Sequence, residues 1–271
     1  MNVHIGIGSL ETDMLTRERQ AAIAGRLARD GKVLAGELAA AFDVSEDTIR
    51  RDLRDMASAG LCERVYGGAL ARSSAPLPPP LHERARIGAP QKHALAAAAA
   101  AFLADGSTIF IDAGSANLAL AAKLPQDRRL RVVTHSPAIA LAVPPRPRHP
   151  VTLIGGRYDA ETGACLGADA LGEVERLRPD LLVLGACGLD AAAGVTAFDP
   201  EDAAIKRRLV GASVRTMVLA TAEKLATVAP FFVTGVEAVG RIVTEAGAPA
   251  PVVEALRETG ADVVLAGAPG R

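Results

Sequence analysis

Two groups of residues in this 271-residue chain have the types and spacing that bind charged partners. The first is the segment 45–54, which carries Arg50, Arg51 and Arg54 among regularly spaced apolar residues. Three arginines on one side of a helix are what binding in the major groove of DNA requires. The second group is a set of glycine-containing turns that follow short apolar segments. Such turns let the backbone approach an anion closely.

The arginine-bearing segment is predicted to be a helix from its own residues. The hydroxyl of Ser45 can cap the free amides of a first turn. Ile49, Leu53 and Met56 recur at helical spacing, so one apolar stripe faces a small core. The opposite side carries Asp47, Thr48, Arg50, Arg51 and Arg54. A surface helix whose arginines only pair with acidic neighbours would show the same pattern, so the flanking segments must decide.

The flanking segments predict a winged helix-turn-helix. Helical spacing extends over residues 17–28 and 34–42, and two short strands are expected over 61–70, on either side of Gly67 and Gly68. In this arrangement the third helix reads base edges while neighbouring groups hold phosphates. The residues predicted to contact double-stranded DNA are Ser45, Asp47, Thr48, Arg50, Arg51, Arg54, Arg64, Tyr66, Gly67 and Gly68.

From residue 91 onward, short apolar segments alternate with helical ones. Apolar strands between helices are typical of a parallel sheet covered on both faces. The predicted fold class is therefore an α/β domain, with a mostly parallel sheet and helices on both faces, preceded by the small winged domain. Five prolines in 72–90 predict a linker. The expected boundaries are 1–13 for a disordered extension or a start at Met14, 14–72 for the winged domain, 73–90 for the linker and 91–271 for the α/β domain.

Ligands of such sheets bind beyond the C-terminal ends of the strands. One turn at such a position contains Asp112, Gly114, Ser115 and Asn117, whose serine and asparagine side chains can donate hydrogen bonds to phosphate oxygens. A purely structural strand–helix turn would contain the same residues, so this turn does not identify a site by itself. Further turns and two separate lysines add Gly155, Gly156, Arg157, Gly185, Gly188, Lys206 and Lys224 as predicted effector-binding residues.

The first part of the chain resembles the DeoR family of bacterial transcriptional regulators. The resemblance lies in residues 15–20, 37–39, 44–53, 60 and 64–69. Its most specific part is Thr-Ile-Arg-Arg-Asp-Leu with Gly-Gly-Ala downstream. The family usually has histidine where Tyr66 stands, and a tyrosine can also bond a phosphate.

The remainder resembles the sensor domain of the same family, which is related to ribose-5-phosphate isomerases. The matching residues are 83–84, 92, 111–115, 132–134, 154–156, 185–188, 202–206 and 224. The resemblance implies a regulator whose affinity for DNA is changed by a phosphorylated sugar. Three positions depart from the family: His135 replaces asparagine, Asp202 replaces glutamate and Thr221 replaces aspartate. His135 and Asp202 are still predicted to bind the effector, whereas Thr221 predicts a different effector or a substitute carboxylate from Glu223.

Composition limits the other classes of function. The formal net charge is −1, so any affinity for DNA must come from the arrangement of charges. Cys62, Cys165 and Cys187 lack metal-ligand spacing, so neither a disulfide framework nor a metal or other cofactor is expected. The longest apolar run, 94–104, is too short to span a bilayer, and the N-terminus shows no signal peptide. A cytoplasmic protein that does not act at a membrane is expected.

Two other functions fit parts of the sequence. A sugar-phosphate isomerase or hydrolase with a DNA-binding domain would need a carboxylate base, for which Asp112 and Asp202 are the candidates. A constitutive repressor with a decayed pocket would explain Thr221. The preferred hypothesis is a non-enzymatic repressor of a carbohydrate catabolic operon, which acts at least as a dimer because one recognition helix makes few contacts.

Overall fold

The chain divides between Arg72 and Ser73 into two units. The computed structural model describes residues 16–30, 32–58, 61–65, 67–71, 73–74, 78–145 and 149–267. The predicted extension 1–13 and the predicted DNA contact Tyr66 lie outside these residues. Among the helices within the described ranges, none has the length and apolar character needed to cross a membrane.

The first unit is a winged helix-turn-helix, as the sequence predicts. Its helices are α1 (Thr16–Asp30), α2 (Ala35–Phe42) and α3 (Glu46–Ser58), and its strands are β1 (Lys32–Leu34), β2 (Cys62–Val65) and β3 (Gly68–Ala71). The strands form an antiparallel sheet in the order β1-β3-β2. The sequence did not predict β1, which pairs with β3 and so attaches the hairpin to the helices.

The apolar stripe of α3 forms the core of this unit. Ile49, Leu53 and Met56 are buried together with Ile23 of α1 and Leu38 of α2. The stripe therefore fixes which side of α3 faces outward. Close packing of the sheet also explains a glycine, because a side chain at position 68 would collide with the backbone of β1.

The second unit contains the α/β domain. Its strands are β4 (Ser73–Ser74), β5 (Thr108–Ile111), β6 (Arg131–Thr134), β7 (Val151–Leu153), β8 (Arg157–Asp159), β9 (Ala164–Leu166), β10 (Leu181–Leu184), β11 (Gly188–Asp190), β12 (Gly194–Ala197), β13 (Thr216–Leu219), β14 (Thr227–Val228), β15 (Phe231–Thr234), β16 (Arg241–Glu245) and β17 (Asp262–Ala266). Its helices are α4 (Leu81–Arg84), α5 (Ala89–Ala100), α6 (Ser115–Ala121), α7 (Pro137–Ala142), α8 (Ala168–Glu175), α9 (Pro200–Ala212) and α10 (Ala250–Glu258).

Seven strands form one parallel sheet in the order β17-β16-β13-β10-β5-β6-β7. The helices α5, α6 and α7 cover one face, and α8, α9 and α10 cover the other. Alternate residues of each central strand pack on opposite faces, as Phe110 and Ile111 of β5 do. The chain reverses direction across the sheet between β5 and β10, which is the position where ligands of open α/β sheets bind. The predicted fold class is confirmed.

The second unit differs from the prediction in two places. The segment expected to be a linker, 73–90, contains β4 and α4 and the start of α5, so it belongs structurally to this unit. The sequence also gave no indication of three small sheets, formed by β11-β12-β15, β8-β9 and β14-β4. These segments are short, and strands of two to four residues leave little periodicity to detect.

Candidate functional site

The outward side of α3 carries the arginines predicted to bind DNA. Ser45 caps the helix, because its Oγ accepts a hydrogen bond from the amide of Thr48 at 3.1 Å. Arg50, Arg51 and Arg54 are all exposed. Within the described residues, neither Arg51 nor Arg54 forms an ion pair. Both guanidinium groups are therefore available to a partner.

Arg50 differs from the other two arginines because it is held within its own helix. It donates to Glu46 Oε2 at 2.6 Å and to Asp47 Oδ1 at 3.3 Å. Arg50 also lines a surface groove together with Arg64 of β2 and the glycines Gly67 and Gly68. The groove brings the recognition helix and the wing onto the same side of this unit.

A buried ion pair fixes the orientation of α3. Arg19 of α1 donates to the carboxylate of Asp52, with Nε at 2.5 Å from Oδ2 and Nη2 at 3.3 Å from Oδ1. Both side chains are at most 6% exposed. The ion pair turns Asp52 toward the inside of this unit. Arg50 and Arg51, which directly precede Asp52 in α3, therefore face outward. Sequence analysis missed this role because the partners lie 33 positions apart.

In the second unit, a cavity of about 430 Å³ opens at the carboxyl ends of β5 and β10. Eight predicted effector-binding residues lie at this edge, of which seven line the cavity: Gly114, Ser115, Asn117, Gly185, Asp202, Lys206 and Lys224. The eighth, Asp112, is fully buried and binds the cavity-lining Lys206 and Gly185. The turn after β5 and Lys206 therefore line the same cavity.

A cluster of four buried ionisable side chains lies at the base of the cavity. Asp112 bonds His135 Nε2 at 2.9 Å through Oδ1, and its Oδ2 accepts from the amide of Gly185 at 2.7 Å. The ammonium of Lys206 lies 3.5 Å from Asp112 Oδ2 and also donates to Asp202 Oδ2. A side chain at position 185 would collide with the carbonyl of Ala113, so the cluster requires a glycine there.

Opposing effects set the protonation of this cluster. Burial raises the pKa of Asp112, but the charge of Lys206 and the hydrogen bond from His135 outweigh it, so the net pKa is lowered. Burial raises the pKa of Asp202, and the neighbouring charge of Asp112 raises it further, beyond what Lys206 offsets. Burial lowers the pKa of Lys206, but the two carboxylates raise it by more, so Lys206 keeps its proton.

Five predicted effector-binding residues do not line the cavity. His135 is fully buried and contacts Asp112, and its Nδ1 lies 3.2 Å from the carbonyl oxygen of Cys165. Gly155, Gly156 and Arg157 precede or begin β8, where Arg157 pairs with Glu201 at the surface. Gly188 is buried in β11. These five residues are not part of the cavity wall.

The role predicted for Asn117 is corrected by its hydrogen bonds. Its Nδ2 already donates to the carbonyls of Asp112 at 2.9 Å and Val183 at 3.1 Å. The amide nitrogen is therefore not available to donate to a phosphate. Only Oδ1, which accepts hydrogen bonds, is left without a partner.

Sequence analysis missed several residues of the cavity wall. Arg84 lines the cavity and donates through Nη2 to the carbonyls of Glu161 at 3.1 Å and Thr162 at 3.2 Å. Lys92 also lines it and donates to the carbonyls of Arg84 and Ile87, each at 2.5 Å. Both residues belong to the family resemblance, which was the available signal, and Arg84 also lies in the segment expected to be a linker. Burial lowers the pKa of both side chains.

Comparison with solved structures finds partial similarity of fold. One example is ribose 5-phosphate isomerase A from Methanocaldococcus jannaschii, at 13% identity and a TM-score of 0.36, over 49% of this chain and 52% of that chain. Another is eIF2B delta from Chaetomium thermophilum, at 17% identity and a TM-score of 0.38, over 53% of this chain and 50% of that chain.

Curated relatives match nearly the whole chain. The glycerol-3-phosphate regulon repressor of Escherichia coli K12 is 29% identical over 90% of this chain and 97% of its own length. The transcriptional repressor AccR of Agrobacterium fabrum is 30% identical over 86% of this chain and 90% of its own length. The HTH-type transcriptional regulator GlpR of Haloferax volcanii is 31% identical over 81% of this chain and 86% of its own length.

Family models match both units. Residues 19–75 match the DeoR-like helix-turn-helix domain, and residues 88–246 match the DeoR C-terminal sensor domain. The second match alone covers more than half of the chain. The order of the two matches follows the order of the two units in the structure. The chain therefore belongs to the DeoR family of transcriptional regulators.

Proposed function

We propose that this DNA-binding regulator represses a carbohydrate catabolic operon and that a phosphorylated sugar bound in the cavity changes its affinity for DNA. The observation that carries the proposal is that half of the unpartnered buried polar atoms among the described residues belong to residues of the cavity wall. Among the described residues, six buried side-chain nitrogen and oxygen atoms lack a hydrogen-bond partner. Three of the six, Arg84 Nε, Asn117 Oδ1 and Asp202 Oδ1, belong to residues that line this one cavity.

Such atoms are unfavourable unless something bonds them. Leaving a buried donor or acceptor unsatisfied costs about 1–3 kcal/mol. A polar ligand that supplies the missing partners removes this cost, so the cavity wall favours a polar ligand over an apolar one. A decayed pocket would be expected to lose such groups, and their presence argues against a constitutive repressor.

Arg84 and Lys224 are the proposed partners of the phosphate. Arg84 Nε is a donor without a partner, and the ammonium of Lys224 lies 3.8 Å from its nearest carboxylate, Glu223. By contrast, Lys206 is bound by two carboxylates and Lys92 by two carbonyls. Arginine and lysine are the usual partners of phosphate oxygens.

Thr221 and Glu223 are proposed to set the effector preference. Both line the cavity, and Thr221 Oγ1 lies 3.4 Å from Glu223 Oε1. Glu223 therefore brings a carboxylate close to the position at which the family usually has aspartate. We expect Thr221→Asp to change which sugar phosphate shifts the melting temperature most. An unchanged order of preference would reject this role.

The first unit is proposed to bind operator DNA through Arg51, Arg54 and Arg64, with a second copy of the chain occupying the other half-site. One recognition helix makes too few contacts for operator affinity, and half-sites are spaced by turns of about 10 base pairs. The relatives named as repressors support this assignment. Because operator DNA lies in the cytoplasm, the proposal places the protein there.

We propose no enzymatic activity. A general base must be free to accept a proton from the substrate. Of the two candidate bases, Asp112 has both oxygens bonded, by His135 and Gly185, whereas Asp202 keeps Oδ1 without a partner among the described residues. This part of the proposal is therefore supported mainly by the relatives, which are named as repressors and as a transcriptional regulator. Turnover of ribose 5-phosphate would reverse this part of the proposal.

Thermal unfolding with a panel of sugar phosphates and their unphosphorylated counterparts tests the proposal. A ligand at about 100 times its dissociation constant adds about 2.7 kcal/mol to the free energy of unfolding. We expect one sugar phosphate to raise the melting temperature by several degrees and to change the affinity for operator DNA. A panel without any shift, or a shift with no effect on DNA affinity, would contradict the proposal.

A further inference from the structure

We infer that the inner wall of the cavity is a subsite for hydroxyl groups and that Asn117 and Asp202 determine its specificity as a pair of hydrogen-bond acceptors. The inference rests on the proposed function and names the part of the effector that the protein distinguishes. It requires an effector that donates hydrogen bonds at its end away from the phosphate.

Asn117 is fixed as an acceptor by its surroundings. The side chain is 1% exposed, and its Nδ2 donates to the two carbonyls of Asp112 and Val183. Carbonyl oxygens only accept, so the amide cannot turn over without losing both bonds. Oδ1 is therefore the atom that remains without a partner, and it can bond only a donor.

Asp202 offers a second acceptor while its carboxylate is ionised in the pair with Lys206. Burial and the charge of Asp112 raise its pKa, so this acceptor is lost as the pH falls. The side chain is 2% exposed, and its Oδ2 accepts from the ammonium of Lys206. Its Oδ1 has no partner among the described residues. Lys206 keeps its proton between Asp112 and Asp202, so it anchors Oδ2 and leaves Oδ1 as the free atom.

Several donors of the cavity wall are already bonded to other acceptors. Lys92 donates to two carbonyls, Arg84 Nη2 donates to two others, and the amide of Gly185 donates to Asp112. The wall also contains five acidic side chains against four basic ones, so it is not a general anion site. The acidic residues are Asp159, Glu161, Asp199, Asp202 and Glu223, and the basic residues are Arg84, Lys92, Lys206 and Lys224.

A phosphate ester of a polyol meets both requirements. Its phosphate can be bound by Arg84 and Lys224, as proposed above, while neighbouring hydroxyls donate to Asn117 Oδ1 and Asp202 Oδ1. A site with buried groups that bond a hydroxyl rejects the analogue that lacks it, because those groups are then left unpaired. We therefore expect hydroxyls, rather than the phosphate alone, to set the specificity.

Calorimetric titration of the full chain with matched pairs of ligands tests the inference. Each pair shares a phosphate and a carbon chain and differs in hydroxyls: glycerol 3-phosphate with propyl phosphate, ribose 5-phosphate with 2-deoxyribose 5-phosphate, and glucose 6-phosphate with 2-deoxyglucose 6-phosphate. For the pair whose hydroxylated member binds most tightly, we expect the deoxy member to bind about 10- to 100-fold more weakly. Equal binding within every pair would overturn the inference and leave the proposed function intact. No binding by any phosphate up to millimolar concentrations would overturn both.

The variant Asp202→Asn separates the subsite from a general effect of charge. The amide would present its oxygen to the Lys206 ammonium and its NH₂ group at the position of Oδ1, which converts the free acceptor into a donor. We expect the preference for the hydroxylated member to fall to within about threefold. Glu201→Gln removes the same charge from the adjacent, exposed position of α9, outside the cavity wall, and should keep the wild-type preference. A preference retained in Asp202→Asn, with the variant folded by circular dichroism, would overturn the inference.

Discussion

The arginines of α3 and the cations of the sensor cavity carry the same charge in opposite environments. Arg51 and Arg54 are exposed and, within the described residues, form no ion pair. Lys92 and Lys206 are at most 5% exposed, and each is bonded to at least two oxygen atoms of the protein. Arg51 and Arg54 are therefore free for a partner, whereas Lys92 and Lys206 are largely used in holding the fold.

The difference determines what each region can recognise. An exposed guanidinium is screened by salt and contributes to affinity only when a partner desolvates it. A buried ammonium fixes the oxygen atoms that accept its hydrogen bonds. The acceptor atoms nearby that remain without a partner then determine which ligand can bind. We propose that the exposed charged groups themselves make the contacts with DNA, whereas the unpartnered oxygens of Asn117 and Asp202 set the specificity of the cavity.

The largest effect is expected from Lys206→Met. The substitution leaves Asp112 and Asp202 buried without their shared cation, and removing one partner of a buried ion pair costs about 3–5 kcal/mol. Urea unfolding of the full chain should show a lower free energy of unfolding by this amount. The exposed residue Lys123 supplies the control, because Lys123→Met should change stability by less than about 0.5 kcal/mol. Equal effects of the two variants would show that burial does not distinguish these charges.

Arg51→Ala should have the next largest effect, on DNA affinity rather than on stability. An arginine contact to a base edge is worth about 1–3 kcal/mol. Arg50 is already held by Glu46 and Asp47, so Arg50→Ala should weaken binding less. Fluorescence anisotropy with an operator duplex selected by the wild-type protein from a random library measures both.

The same titration can contradict this part of the comparison. Wild-type affinity in Arg51→Ala, or a larger loss in Arg50→Ala, would show that freedom from intrahelical pairing does not identify the DNA contact. Effector binding in the cavity should be unchanged in both variants and serves as the control for folding.

A capped helix positions the functional groups in both regions, which allows a matched test. Ser45 caps α3 through the amide of Thr48, and Asp199 caps α9 through the amides of Glu201 and Asp202. Loss of an N-cap costs about 1 kcal/mol. We therefore expect similar losses of stability in Ser45→Ala and Asp199→Ala, measured by urea unfolding.

The two cap variants should differ in function. Ser45→Ala should weaken DNA binding alone, and Asp199→Ala should weaken effector binding, because Asp202 lies in the first turn of the helix that it caps. If Asp199→Ala lost stability without any loss of effector affinity, the start of α9 would not position the site.

The sequence predicts a region well when its interacting residues lie close together along the chain. The cap, stripe and arginines of α3 lie within 14 positions, so helical periodicity was sufficient to predict them. The pairing of Asp52 with Arg19 joins two helices and has no local signal. Prolines indicated a linker in 73–90, yet Arg84 lies within it and reaches the cavity.

In the sensor unit, the sequence supplied the members of the site but not their arrangement. Asp112, Asp202 and Lys206 were predicted from a strand-end turn and a family resemblance. Their mutual contacts depend on where β5 and α9 lie in the fold. Arg157 was predicted from a glycine turn of the same kind, but it points to Glu201 outside the cavity. Local composition could not distinguish the two cases.

The smallest effect is expected from the replacement of Asp105, an exposed carboxylate of the sensor unit. This residue tests whether the loss of stability depends on the exposure of a charge or on the unit that contains it. Asp105 accepts hydrogen bonds from the amide of Arg129 at 2.6 Å and from its guanidinium at 3.2 Å. The backbone hydrogen bond, followed by the bond from the side chain, lowers the pKa of Asp105 below its ordinary value of 3.8. Its contribution to stability is therefore present above pH 3.8 and is lost as the pH falls through the lowered pKa. We expect the melting temperature of Asp105→Asn to lie slightly below that of the wild type at pH 7 and to approach it below about pH 4. A difference in melting temperature that grew as the pH fell would mean that the carboxylate is stabilised in its protonated form. A loss of stability as large as that of Lys206→Met would mean that exposure does not separate the two kinds of charge.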